Sequence, residues 1–289
     1  MTLLEYVARP AGDIDLARAA LLLARDEYPD LDIEHYLVRL DDLARDVAVS
    51  LFGPLEPAAL DTALRTRLDQ DPGTVIAALA DRLFEHEGFN GNTGDYYDPR
   101  NSFLNDVLER RTGIPITLSI VYMAVARRLG LDVAPISFPS HFLVRVNVKR
   151  MDLVVDPFNA GTLLNRESLI QHLVRLFGDR GTAEAYLPQA LISVPANEVV
   201  ARMLRNLKAI YISRKVWDRA LSMADQLVRL DPSQAHELRD RGQLYEVLEC
   251  PQAALDDYRR YLEQQPDASD AAAIQRRMVE VGKLVSRLN

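Results

Sequence analysis

The sequence predicts an α+β fold: a helix-rich domain with a small antiparallel sheet, followed by an all-helical array. Three observations carry this. Apolar residues recur at helical spacing through residues 14–88. Short runs rich in Val, Ile and Phe then cluster between 133 and 155. Further on, Tyr211 and Tyr245, Ala220 and Ala254, and Pro232 and Pro266 form three pairs, each 34 residues apart. Strands placed after helices, rather than alternating with them, favour α+β over a parallel sheet.

The elements follow in order. A helix opens near Asp15, with Asp13 as a plausible cap. A second covers 32–52, where Ile33, Tyr36, Leu37, Leu40, Leu43, Ala44 and Val47 make one stripe. Shorter helices are expected at 57–69 and 74–87. The Gly-, Asn- and Asp-rich segment 89–101 breaks the pattern. Helix resumes near 102, capped by Asn101 or Ser102, and runs to about 111. A central apolar helix follows, with Pro115 in its first turn, where a missing N–H costs nothing, and Gly130 at its end. Strands are expected at Val133–Phe138, Phe142–Val148 and Leu153–Val155, and a helix at 166–177. A Pro-bounded connection at 188–195 leads into the helical array.

The 34-residue period is that of tetratricopeptide repeats, with a Tyr in the first helix, a small residue in the second and a Pro after it. Units are expected at 201–234 and 235–268. Leu204, Leu207, Ala224 and Leu227 fill the apolar slots of the first, and Leu238, Gly242, Tyr258 and Tyr261 those of the second. Two units alone leave an apolar end face, so Ala271–Leu288 is expected to act as a capping helix. The repeats either pack internally or present a concave peptide-binding groove.

Composition narrows the function. With 34 Lys and Arg against 42 Asp and Glu, a net charge of −8 argues against a general nucleic-acid or anionic-membrane binder. A single cysteine, Cys250, permits neither an internal disulfide nor a thiolate metal cluster, which fits a reducing cytoplasm. The N-terminus lacks a basic, then apolar, leader, and no run is long and apolar enough to span a bilayer. His35, His86, His172 and His236 share no ligand spacing, and no cofactor motif is present. The acids of 89–101 lack the order of a calcium loop.

Chemistry concentrates in three places: the start of the central helix, His141 ahead of the second strand, and Asp156 at the end of the third. A helix N-terminus, a His strand and an Asp strand are how a thiol, its base and its orienter are assembled in papain-like and transglutaminase-like folds. Three stretches carry a closer resemblance: Phe89-Asn-Gly-Asn with Asp95–Arg111, then Gly113-Ile-Pro-Ile-Thr-Leu-Ser, then Phe138-Pro-Ser-His-Phe-Leu-Val-Arg. With the repeats, the chain resembles the bacterial SirB family, in which a transglutaminase-like domain precedes tetratricopeptide repeats. Ser140 departs from the Gly expected before the histidine. The resemblance implies a first domain over 1–190 and a repeat array over 196–289.

In the wider superfamily a Gly-x-Cys motif opens the helix. That pattern places Gly113 at the Gly and Pro115 at the nucleophile, with His141 as base and Asp156 as orienting acid. Proline carries no nucleophile. Ser119, one turn deeper, is the alternative hydroxyl; Thr117 is expected to point roughly opposite. Either can instead bond a carbonyl one turn back. The His141–Asp156 pair reads as a residual dyad or as a structural link between strands. In the loop, Tyr96 and Tyr97 are expected to pack inward in tight turns; the functional alternative makes them, with Asn90 and Asn92, a binding surface. The expected function is a cytoplasmic interaction or regulatory protein with a protein or peptide partner. The rival is a hydrolase or acyltransferase using His141 and Asp156 with Ser119 or water. Oligomeric state is open.

Overall fold

A computed structural model describes residues 1–10, 14–148 and 151–288, and it divides into two compact units, Met1–Val200 and Ala201–Asn289. In the first, α1 (Leu3–Val7) and α2 (Leu16–Ala24) precede the long α3 (Ile33–Phe52). Asp15 caps α2 by accepting from Ala17 N and Arg18 N; the expected cap Asp13 lies outside the described residues. The buried side of α3 is Ile33, Leu37, Leu40, Leu43, Ala44, Val47 and Ala48, the stripe read from the sequence with Tyr36 at its margin. Helices α4 (Pro57–Gln70) and α5 (Pro72–Ala80) follow, and a six-residue π-helical stretch, Asp81–His86, extends α5.

Residues 90–113 make a connection that periodicity does not show. Strand β1 (Asn90–Gly91) pairs in parallel with β2 (Thr112–Gly113), either side of a 3-10 turn (Pro99–Asn101) and α6 (Leu104–Arg110). The N-cap of α6 is Phe103, without a side-chain cap bond, rather than Asn101 or Ser102. Asn101 is committed elsewhere: its amide donates to the Asp95 and Tyr96 carbonyls, and its carbonyl accepts from Thr117 Oγ1 at 2.8 Å.

The central helix, α7 (Pro115–Arg128), is buried from Pro115 to Ala126, as its nearly unbroken apolar sequence requires. It packs against α3, the sheet and the turn after the third sheet strand. Gly130 adopts φ +82 just beyond it. The sheet has four strands rather than three, in the order β3 (Asp132–Ile136), β4 (Leu143–Val148), β5 (Met151–Asp156), β6 (Thr162–Leu164), all antiparallel. Strand β6 is three residues long, too short for alternation to reveal it. Helix α8 (Arg166–Phe177) then packs with α9 (Arg180–Ala190) on Ile136, Phe138 and Leu143. Sequence reasoning misses α9 because Pro188 sits inside it, near its C-terminal end, where the absent N–H releases only one bond.

Helix α10 (Ala196–Ser213) leads into α11 (Trp217–Leu230), α12 (Ala235–Val247), α13 (Pro251–Gln264) and α14 (Ala271–Leu288). In the second unit Ala254, Tyr258, Tyr261 and Leu238 form a core to which α14 adds Ile274 and Val281, as the capping expectation requires. Charged links join the helices inside it: Lys208 Nζ donates to Glu237 at 2.5 Å and Asp240 at 2.8 Å, and Arg241 holds Asp257 in a buried two-bond fork. Gly242 lets Tyr258 approach the α12 backbone; an added Cβ would lie 2.6 Å from the ring. Gly242→Ala is therefore expected to lower stability by about 1–3 kcal/mol in chemical denaturation, against the gain alanine normally gives in a helix. An unchanged or raised stability would contradict this packing.

Candidate functional site

The three predicted positions lie on α7 and on two segments that pack against it, the start of β4 and the turn after β5. Pro115 is the first residue of α7 and is buried. Ahead of it Gly113 has no room for a side chain, since a Cβ would sit 2.8 Å from Thr117 Oγ1. That hydroxyl receives Ile114 N at 3.1 Å and donates to the Asn101 carbonyl. Thr117 thus ties the helix start to the 90–101 loop. Ser119 is fully buried, and its Oγ donates to the carbonyl of Phe142 at 3.4 Å, so its one proton is directed at the backbone of the segment entering β4.

His141 follows a tight turn. Its N–H donates to the Phe138 carbonyl at 3.0 Å, and Ser140 takes φ +55 to let the chain double back. A left-handed residue there explains why Gly suits the position: a side chain costs roughly 1–2 kcal/mol in that region. The imidazole is 8% exposed and Asp156 is 3% exposed. Nε2 lies 2.8 Å from Asp156 Oδ2, yet the ring N–H does not point along that line, leaving the nitrogen without an aligned hydrogen-bond partner. The contact is short but is not a well-formed hydrogen bond.

Asp156 has other work. Its Oδ1 accepts from Phe158 N at 3.1 Å and Asn159 N at 3.3 Å, capping the 3-10 turn Pro157–Asn159, while Oδ2 accepts from Asn159 Nδ2 at 2.7 Å. Burial pushes its carboxyl up, but the His141 ring and the Asn159 bonds outweigh burial and hold it below its ordinary value. Two further rings complete the surroundings. His172 of α8 stacks on His141 at 5.6 Å with 28° between planes, and Phe158 meets it edge-on at 5.9 Å. Sequence reasoning passed over both. His172 lies three residues after the core residue Leu169, a helical signal that marked it as inward-facing. Phe158 had no such signal.

The 89–101 loop reverses one expectation. Tyr96 and Tyr97 are 40% and 64% exposed and meet edge-to-face at 5.5 Å instead of packing inward. The loop is braced by amides: Asn92 accepts from Asp95 N at 2.9 Å and donates to the buried Asn101 Oδ1 at 3.1 Å. Asn90 Nδ2 donates to the Gly88 carbonyl at 2.9 Å. Both asparagines, expected at a binding surface, are engaged within the loop and its base. Cys250 is exposed and lies in the other unit. Among the described residues no group of three or more His, Cys, Asp or Glu is placed to hold a metal ion, and no helix is long and apolar enough to cross a membrane.

Residues 34–205, which include this whole arrangement, match the family model of the transglutaminase-like superfamily. The chain belongs to that superfamily. Behind its transglutaminase-like domain, residues 207–279 match the tetratricopeptide repeat. Similar along most of their length are a UPF0162 protein of Xylella fastidiosa strain Temecula1, 39% identical over 93% of this chain and 90% of the relative, and the UPF0162 protein PA3419 of Pseudomonas aeruginosa, 30% identical over 94% and 93%. The UPF0162 protein YchA of Escherichia coli K12 is 28% identical over 84% and 82%.

Within the transglutaminase-like domain, the stacked imidazoles make a pH prediction. Burial lowers the pKa of His172, and the neighbouring His141 lowers it further, against the bond to the Pro139 carbonyl. A histidine depressed in the folded state takes up its proton more readily when unfolded. Below its unfolded pKa of about 6.5, acid therefore favours unfolding. Thermal denaturation is expected to show stability rising with pH through that window, and His172→Phe is expected to flatten the rise. An identical slope in the variant would contradict the assignment.

Proposed function

We propose that this protein is a cytoplasmic interaction or regulatory protein whose transglutaminase-like domain no longer performs thiol chemistry, and that it binds a protein or peptide partner. Within the superfamily it is assigned to the SirB group on the motifs around Gly113 and His141. The functional parts are taken as 1–190 for the domain and 196–289 for the repeats. One observation carries the reading: a buried Pro115 heads α7, where the superfamily pattern calls for a cysteine. A helix N-terminus and a nearby imidazole acidify a thiol only if one is there.

The alternative hydroxyl, Ser119, supports the same conclusion. Ser119 donates to a carbonyl rather than to an imidazole, in a fully buried position. A serine nucleophile needs a base within about 3.2 Å and donors for the oxyanion. His141 and Asp156 are then a structural link: a carboxylate caps a turn and anchors an imidazole between two parts of the sheet. Tetratricopeptide helices supply the interaction surface, as such arrays commonly do. Tyr96 and Tyr97, an exposed aromatic pair on a loop braced by its own amides, are a second candidate contact.

The purified protein is expected to hydrolyse generic esters and amides no faster than buffer, and alkylating Cys250 is expected to leave partner binding unchanged. His141→Ala is expected to lower stability by about 1–3 kcal/mol, because a buried carboxylate loses one of its four neighbours and the imidazole's packing is lost, while partner capture persists. Hydrolysis that disappears in His141→Ala would contradict this function.

A further inference from the structure

Resting on the reading of the repeats as an interaction surface, we propose that the outward face of α14 docks an acidic amphipathic helix of a partner protein, which takes the place of the second helix of a third repeat. The 34-residue register continues into α14. One period after Leu238 comes Ala272, one after Gly242 comes Arg276, and one after Tyr245 comes Val279. On α12 these slots are covered: Leu238 is buried, and Gly242 is where α13 lays the ring of Tyr258. On α14 the same slots are open. Ala272 and Arg276 are exposed, and Val279 is 60% exposed. At helical spacing Ala272, Arg276, Val279 and Lys283 share one face, opposite the Ile274 and Val281 that α14 gives to the core. A terminal helix ordinarily turns a polar face outward; this one presents the slots at which a repeat receives its second helix.

Charge decides which helix fits. The array already shows how a helix is received on this face: Arg241 of α12, beside Gly242, holds Asp257 of α13 in a fork at 2.7 and 2.8 Å. On α14 an arginine, Arg276, stands at the contact point itself, and Lys283 follows two turns on. Among the described residues neither cation makes an ion pair or hydrogen bond. Their neighbour Arg277 is held by Glu246 at 2.6 Å, and Glu280, at the margin of the face, leaves the two cations in excess. Arginine in the place of Gly242 also excludes the ring-on-glycine packing of the preceding unit. An occupant with apolar residues over Ala272 and Val279 and carboxylates at Arg276 and Lys283 satisfies the face. A wholly apolar helix would bury two unpaired cations, and a second copy of α14 would set like charges against each other.

The test is fluorescence anisotropy of the intact protein with two labelled helix-forming peptides, leucine at every third or fourth position and either glutamate or lysine on the rest. The glutamate peptide is expected to bind about tenfold or more tightly than the lysine peptide, with affinity falling as salt rises. Arg276→Glu with Lys283→Glu is expected to weaken the glutamate peptide by about tenfold and to favour the lysine peptide, at unchanged circular dichroism. Val279→Ser is expected to weaken the glutamate peptide too. Lys215→Glu with Arg259→Glu, exposed cations outside α14, is expected to leave its binding unchanged. Equal affinity for both peptides, no loss in the folded charge-reversed protein, or an equal loss in the Lys215 and Arg259 variant would overturn the docking face. Self-association abolished by Val279→Ser would overturn it as well, by making a second copy the occupant. Partner capture from native cytosol that survives the charge reversal would overturn the face and leave the proposed function standing. Binding of the glutamate peptide with no cytosolic partner captured would instead overturn the proposed function and leave the face standing.

Discussion

The carboxylate of Asp156 is the constraint on which the site depends. It closes the turn after β5, lies 2.8 Å from the His141 imidazole, and fixes the backbone that carries Phe158. A buried carboxylate is tolerated only when its lone pairs are used, and here four approaches use them. The sheet, the imidazole and the covering ring consequently stand or fall together. This is also why a dyad that resembles catalytic machinery needs no catalytic role to persist. Removing the carboxylate frees the turn and leaves the buried imidazole without its charged neighbour, and that penalty acts on folding itself.

The start of α7 shows a second constraint of the same type. Gly113, Thr117 and Asn101 interlock, so that the helix start and the 90–101 loop are one unit. Proline at the first helical position suits this geometry, because its fixed φ and missing N–H are harmless there. On the proposed reading, a residue suited to helix initiation fills the place at which superfamily chemistry would begin, so that the scaffold is retained without the reactive atom. The second unit combines a core of aliphatic and tyrosine side chains with charged residues paired between its helices.

Much of this was legible in the sequence because the period was strong. The α3 stripe, the apolar α7, the two long strands and the 34-residue repeat emerge nearly as read, since each sets several residues in phase. Short or interrupted elements did not: β1, β2 and β6 hold two or three residues each, and Pro188 concealed α9. The candidate site was legible where its residues recur in a known pattern, at Pro115, His141 and Asp156. It was illegible where it depends on space. Nothing local marks Gly91 as lying against Phe158, and the buried place of Asn101 follows from loop carbonyls that required a donor.

The account stands on the absence of an attacking atom beside His141. Incubating the protein with an activated acyl donor, quenching in acid and mapping every modified peptide measures this directly. The account predicts no acyl group on any residue of the 113–119 segment. A stoichiometric acyl adduct on Ser119 or Thr117, lost when His141 is replaced, would contradict it.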